Sequence, residues 1–372
     1  MKRILCVGLL FVIASCGGGD STSSSVTESV VGDTTVVEPA VSEPAVSEPV
    51  VTDPVATEWV QVDAPSDCMC SDGSPFSYFV READPSKVVF YLEGGGACFS
   101  ADMCAPGSDQ YTHTFDYPDG FTGTDGIFDL DNPENPFADY SFVYVPYCTG
   151  DVHTGNTTKD YGNGVVVQHK GFVNASTALD DMIARFPAAT NVVVAGASAG
   201  SFPTPIYAAM VGDALPTADL KVVADGSGAI PDAMGLVVAN WGTLEALPDW
   251  PELVGLTVDQ VTPSTIFEKA ALHNPNITMA RHDYAHDRVL SGYATMAGLS
   301  ADNLVDVMNA NEAKVEANGA AVATWIAAGD DHTIIGRPSM YTEEQNGVRF
   351  VDWLKAFIDG SPLPDEHCTV CD

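Results

Sequence analysis

The chain has 372 residues, 45% of them hydrophobic, and a net charge of −36. That length allows one large mixed α/β core or two smaller ones. Fifty-one acidic residues against fifteen basic ones argue against nucleic acid or anionic lipid as a partner, since both are polyanions; the excess fits a saline setting in which ions screen self-repulsion.

At the N-terminus, Lys2 and Arg3 precede an apolar stretch over 4–14. It has a signal-peptide layout and is too short to span a bilayer. It ends in Ile13-Ala14-Ser15-Cys16, which resembles a bacterial lipobox. Residues 1–15 are therefore expected to be a lipoprotein signal peptide and Cys16 the lipidated residue. The chain would be exported and held on the bacterial membrane, facing outward, by several acyl chains on one Cys. Residues 16–57, with the run AVSEPAVSEPVVTDPV, lack aromatic residues and any strand or helix period. They read as an extended Pro/Glu/Ser/Val linker. The folded domain is expected over 58–372, with 44 acidic and 13 basic residues, a net −31.

Seven cysteines fall in that domain: Cys68, Cys70, Cys98, Cys104, Cys148, Cys368 and Cys371. In an exported chain they predict disulfides, and the odd number leaves at least one thiol over. Cys98 with Cys104 would close a tight loop. Cys68 and Cys70 with Cys368 and Cys371 are expected to staple the two ends of the domain rather than hold zinc, because a CxC lacks the usual knuckle spacing.

Along the domain, apolar β-prone runs at 87–92, 141–146, 191–195, 220–224, 276–280 and 324–328 alternate with helical patterns at 177–186, 288–299, 303–317 and 349–359. That alternation predicts an α/β, doubly wound, mostly parallel sheet with helices on both faces. Ligands of such sheets bind off the carboxyl ends of the strands, so the residues after each strand carry the chemistry.

After the run at 191–195 stands Gly196-Ala197-Ser198-Ala199-Gly200, followed by a helical segment to about 211. This is a nucleophile-elbow pattern, with Ser198 raised at the strand end. Pro203 and Pro205 strain the helical reading but are tolerated in a first turn. After the run at 87–92 stands Glu93-Gly94-Gly95-Gly96. The N–H groups of Gly95 and Gly96, with that of Ala199, would form an oxyanion hole. The serine needs a base, and His332, in a loop after the last strand pattern, fits best among His273, His282, His286, His332 and His367. For the orienting acid, position leaves Asp225, Asp283 and Asp287 open. A rival metal reading uses His282-Asp283-Tyr284-Ala285-His286, similar to a zincin HExxH with Asp for Glu. A third reading is a non-catalytic surface lipoprotein that keeps the fold.

The segments YLEGGGACFS, PYCTGDVHTG, HKGFVN, GASAGS, VADGSG and GDDHTII, in that order, resemble the pectin acetylesterase / Notum family over most of 87–357. The resemblance implies an α/β-hydrolase that removes acyl esters, with Ser198 as nucleophile and His332 as base. It implies Asp287 as the acid, in YAHDRVL, and leaves Asp225 to shape the pocket. Plant members usually carry Trp where this chain has Ala97, and members often carry Cys where it has Ala197. The reading needs no cofactor and no metal. The expected substrate is a short acyl ester, acetyl first, on a carbohydrate or a small molecule. With a domain of −31, neutral acylated glycans are favoured over pectin at low salt. His153 and His169 are the residues expected to supply some positive charge at low pH.

Overall fold

A computed structural model describes residues 58–233 and 237–371. The signal peptide, Cys16 and the linker lie outside the described residues. The strands in chain order are β1 (Val60–Asp63), β2 (Ser77–Arg81), β3 (Asp84–Leu92), β4 (Tyr140–Val145), β5 (Thr157–Gly162), β6 (Val165–His169), β7 (Asn191–Ala197), β8 (Asp219–Asp225), β9 (Thr278–Tyr284), β10 (Ala321–Ala327), β11 (Glu344–Gln345), β12 (Val348–Arg349) and β13 (Glu366–His367). The helices are α1 (Gly171–Arg185), α2 (Thr204–Ala214), α3 (Thr243–Ala246), α4 (Pro263–His273), α5 (Arg288–Met296), α6 (Leu304–Ala317) and α7 (Phe350–Ile358).

Nine strands form one sheet in the order β1-β2-β4-β3-β7-β8-β9-β10-β13. The β1–β2 and β2–β4 pairs are antiparallel; from β4 to β13 every pairing is parallel. Strands β5 and β6 form a separate hairpin, as do β11 and β12.

Residues alternate between the two sheet faces, and both faces are buried, so the central strands read as continuous apolar runs. Val192 and Val194 of β7 enter one core with Ala175 and Leu179 of α1, Ile206 of α2 and Phe267 of α4. Val193 and Ala195 enter the other, with Phe350, Trp353 and Leu354 of α7. Burying each such valine contributes about 1.5–3 kcal/mol, enough to set strand register.

Two sequence expectations are corrected here. The strand expected at 276–280 runs to Tyr284, so Asp283 lies inside it. An apolar pattern stops at Arg281; in the strand's continuation the buried polar residues face charged partners. Arg281 Nε pairs with Asp283 Oδ2 at 3.0 Å, and His282 Nδ1 meets Asp225 Oδ1 at 2.8 Å. The termini are not stapled to each other: the disulfides are Cys70–Cys148, Cys98–Cys104 and Cys368–Cys371, and Cys68 is a buried free thiol. Cys148 follows β4, whose pairing with β2 brings it near Cys70, a proximity that spacing cannot reveal. The tight Cys98–Cys104 loop forms as expected. These bonds place the domain in an oxidising compartment, as in exported proteins.

Candidate active site

The parallel register brings the carboxyl ends of the parallel strands to one edge. Leu92 of β3 pairs with Gly196 of β7, so the glycine loop and Ser198 emerge side by side. Tyr284 of β9 pairs with Ala327 of β10, so the loops carrying Asp287 and His332 also emerge together.

Ser198 has φ +54°, the left-handed conformation a non-glycine residue adopts only where its surroundings hold it. The turn is tight because glycine flanks it. A side chain on Gly196 would strike the carbonyl of Gly200, and one on Gly200 would strike that of Leu92. The segment after the elbow is not one helix. A 3-10 turn spans Ser198–Gly200, and α2 begins at Thr204, with Pro205 in its first turn.

His332 Nε2 lies 2.7 Å from Ser198 Oγ, and His332 Nδ1 lies 2.6 Å from Asp287 Oδ2. A carboxylate only accepts, so Nδ1 carries the proton and Nε2 is left to accept from the serine hydroxyl. Asp287 is fully buried and caps α5: its Oδ1 accepts the N–H groups of Val289 and Leu290 at 2.8 and 2.9 Å. With both oxygens engaged, the carboxylate has one orientation. Such a series can move a proton from a serine to an imidazole while the acid stabilises the resulting cation.

Beside it, the glycine loop is anchored at its start. The part-buried Glu93 accepts from Tyr117 Oη at 2.6 Å and from the N–H of Tyr147 at 2.9 Å, and desolvation pushes its carboxyl above the usual range. His153 Nε2 donates to the carbonyl of Glu93 at 2.8 Å. Val152 and His153 both have positive φ, +48° and +55°, strain of the kind found at functional sites.

Two cavities meet at Ser198. One holds about 770 Å³ of empty space, partly open to solvent, behind apolar walls that include Phe99, Phe202, Ile230, Trp241, Val261 and Leu290. The other is a wider, polar groove with about 830 Å³ of water-accessible space, reached by Gly95, Gln110, Thr112, Asp125, His332 and Arg337. Gly96, Ser198, Val289 and Tyr293 line both, and Ala199 lines the apolar one.

The remaining candidates sit elsewhere. Asp225 lines neither cavity, contrary to the role the resemblance implied. It is buried at the end of β8, where it accepts from Ile334 and Ile335 N–H at 2.8 and 2.9 Å, and so pins the loop that follows His332. Asp283 is likewise buried and accepts from the N–H of Gly228 at 2.6 Å. His282 lies in β9 and His286 beyond its end, so they share no helical face, the arrangement an HExxH site needs. His153 and His169 are fully buried, and burial holds both near pKa 4, so neither supplies charge to a ligand. Sequence reasoning missed Tyr293 and the anchoring of Glu93. The only signal for the latter was an isolated acid directly after an apolar strand.

Residues 51–236 match the family model described as Pectinacetylesterase. The chain is 33% identical over 137 residues to Palmitoleoyl-protein carboxylesterase notum2 of Xenopus laevis, covering 35% of this chain and 27% of that protein. It is 26% identical over 174 residues to Pectin acetylesterase 5 of Arabidopsis thaliana, covering 45% of this chain and 41% of that one. A third relative, Inactive palmitoleoyl-protein carboxylesterase notum1b of Danio rerio, is 33% identical over 120 residues, 31% of this chain and 83% of its own. The alignments thus span about a quarter to two fifths of the first two relatives.

Proposed function

The chain belongs to the pectinacetylesterase family, and we propose that it is a serine carboxylic ester hydrolase that removes short acyl groups, acetyl first, from an acylated carbohydrate or a small ester. The observation that carries this reading is the hydrogen-bonded series Ser198–His332–Asp287 at the meeting point of two cavities. Ser198 Oγ attacks the acyl carbonyl and His332 Nε2 takes its proton. Asp287 steadies the imidazolium. The N–H groups of Gly95, Gly96 and Ala199 hold the oxyanion. The tetrahedral adduct expels the alcohol, which receives the proton from His332 and leaves into the polar groove. Water, deprotonated by His332, then frees the acid from Ser198.

Ser198→Ala, assayed with p-nitrophenyl acetate, should lower turnover by about 10³-fold or more. Near-normal turnover in that variant removes the reading. A fluorophosphonate probe separates it from a non-catalytic surface protein: labelling of wild type but not of Ser198→Ala supports the hydrolase.

The apolar cavity favours a second reading, in which the acyl chain is longer than acetyl. A series of p-nitrophenyl esters from acetate to palmitate decides between them. A specificity constant that falls steadily from acetate upward supports the first reading, and a maximum at longer chains supports the second.

The proposed setting is a lipid anchor on Cys16, with 1–15 removed, 16–57 as spacer and 58–372 as the enzyme. Metabolic labelling with a fatty acid should mark the wild type and not Cys16→Ser. An unlabelled wild type released to the medium refutes the anchor.

A further inference from the structure

The far end of the glycine loop is held by a residue that lies some 200 positions away in sequence. Tyr293 Oη accepts the N–H of Ala97 at 3.1 Å, an N–H shared with the carbonyl of Gln110 at 3.3 Å, and donates to that same carbonyl, so it bridges the loop to the strand-like segment beside it. The loop also pairs with the segment behind it: Thr112 N–H donates to Gly95 O at 2.9 Å, and Gly96 forms a bridge with Tyr111. Gly96 has φ +79°, and a Cβ there would run into both Gln110 O and Tyr293 Oη. The hydroxyl therefore sits where only a glycine backbone fits beneath it.

We infer that Tyr293 is a positioning residue for the oxyanion loop: by bridging the N–H of Ala97 and the carbonyl of Gln110, its hydroxyl locks the backbone pairing that leaves Gly95 and Gly96 as the loop's donors to the acyl oxygen. This rests on the hydrolase reading above. Tyr293 stands six residues beyond Asp287 on the helix that Asp287 caps, so one nine-residue helix carries the orienting acid at its start and the loop clamp in its second turn. The acid and the oxyanion donors are thereby referred to one rigid body, which matters because a displacement of about 1 Å at a reacting centre costs up to about 10²-fold in rate. Burial pushes the Tyr293 phenol above its usual range, so it keeps the proton it donates to Gln110. The clamp at the other end is His153, which holds Glu93 O. The two clamps act on opposite ends of a five-residue segment, Glu93 to Ala97.

Tyr293→Phe separates the hydroxyl from the ring, which lines both cavities and stays in place. With p-nitrophenyl acetate and the full chain, kcat should fall about 10- to 100-fold, below the loss from deleting an oxyanion donor outright, while KM stays within about threefold. Affinity for an alkylboronic acid, which forms a tetrahedral adduct on Ser198, should fall by the same factor as kcat. The thermal midpoint should move by no more than about 4 °C. A kcat within twofold of wild type overturns the inference. So does a kcat loss that boronate affinity does not follow, since that marks general damage to the fold. If Ser198→Ala keeps its turnover, the hydrolase reading fails and this inference falls with it; if Ser198→Ala is dead and Tyr293→Phe is not, this inference alone fails.

Discussion

Asp225 and His282, at the ends of neighbouring strands β8 and β9, share a buried hydrogen bond of 2.8 Å beneath the loop that carries His332. Asp225 spends its other oxygen on the N–H groups of Ile334 and Ile335. Two buried Asp–His pairs thus lie within a few residues of each other, and only one of them, Asp287–His332, reaches a serine. They should respond differently to loss of charge. Asp287→Asn presents an amide N–H to His332 Nδ1 and forces the wrong tautomer, so kcat should drop by about 10³- to 10⁴-fold with the fold intact. Asp225→Asn should lower the thermal midpoint and reduce kcat far less. Both are measured side by side with an aryl ester and by thermal melts; inactivation by Asp225→Asn alone would reassign the acid.

The disulfides should rank by the length of chain they close. Cys70–Cys148 spans 78 residues and Cys368–Cys371 only 3. Loop-closure entropy makes the first worth about 4 kcal/mol and the second about 2 kcal/mol. Replacing each pair by serines and comparing denaturant midpoints checks the order. An equal or larger loss from the C-terminal pair would show that strain or unfolded-state structure dominates.

Acid should stress the domain through its buried histidines. His169 donates from Nδ1 to Thr149 O at 2.9 Å and accepts at Nε2 from Tyr161 at 3.0 Å, and burial lowers its pKa from 6.5 to about 4. Between those values the unfolded chain binds the proton and the folded one does not, so stability falls as pH drops from about 6.5 toward 4. Asp151 and Asp283 oppose this: burial raises both from 3.8 to about 6, so the folded form holds their protons in that window and gains stability as pH falls. His169→Gln keeps a donor and an acceptor but cannot titrate. Its thermal midpoint should fall less than that of the wild type between pH 7 and pH 4.5. An unchanged acid-induced drop would mean that His169 protonates in the folded state without penalty.

Charge should govern the choice between substrates. The groove by Ser198 carries Asp109 and Asp125, and among the described residues Arg337 is the only lysine or arginine lining either cavity. In a domain of −31, acetate release from acetylated xylan should exceed that from acetylated pectin at low salt. The gap should close near 1 M salt, where the screening length is about 3 Å. Faster release from pectin at low salt would contradict this and point to Arg337 as the local cation that outweighs the net charge; Arg337→Gln should then abolish the preference.

The sequence alone determined the architecture and pointed to most of the proposed site. Strand runs bounded by Gly and Asp, helical periods between them and the order GGG, GxSxG, Asp, His are local signals, written into neighbouring residues by backbone sterics and burial. They sufficed to single out Ser198, His332, Gly95 and Gly96 as candidates. Whatever depended on residues far apart in the chain had to wait for the tertiary structure. The partner of Cys70 was decided by β2 pairing with β4. Position left Asp225 and Asp287 both open and only the resemblance favoured Asp287; the parallel register gives them different surroundings, burying Asp225 against the 334–335 backbone and setting Asp287 at a helix start facing His332. Tyr293 reads as one more apolar position of an amphipathic helix until the fold lays its hydroxyl against Ala97, some 200 residues upstream.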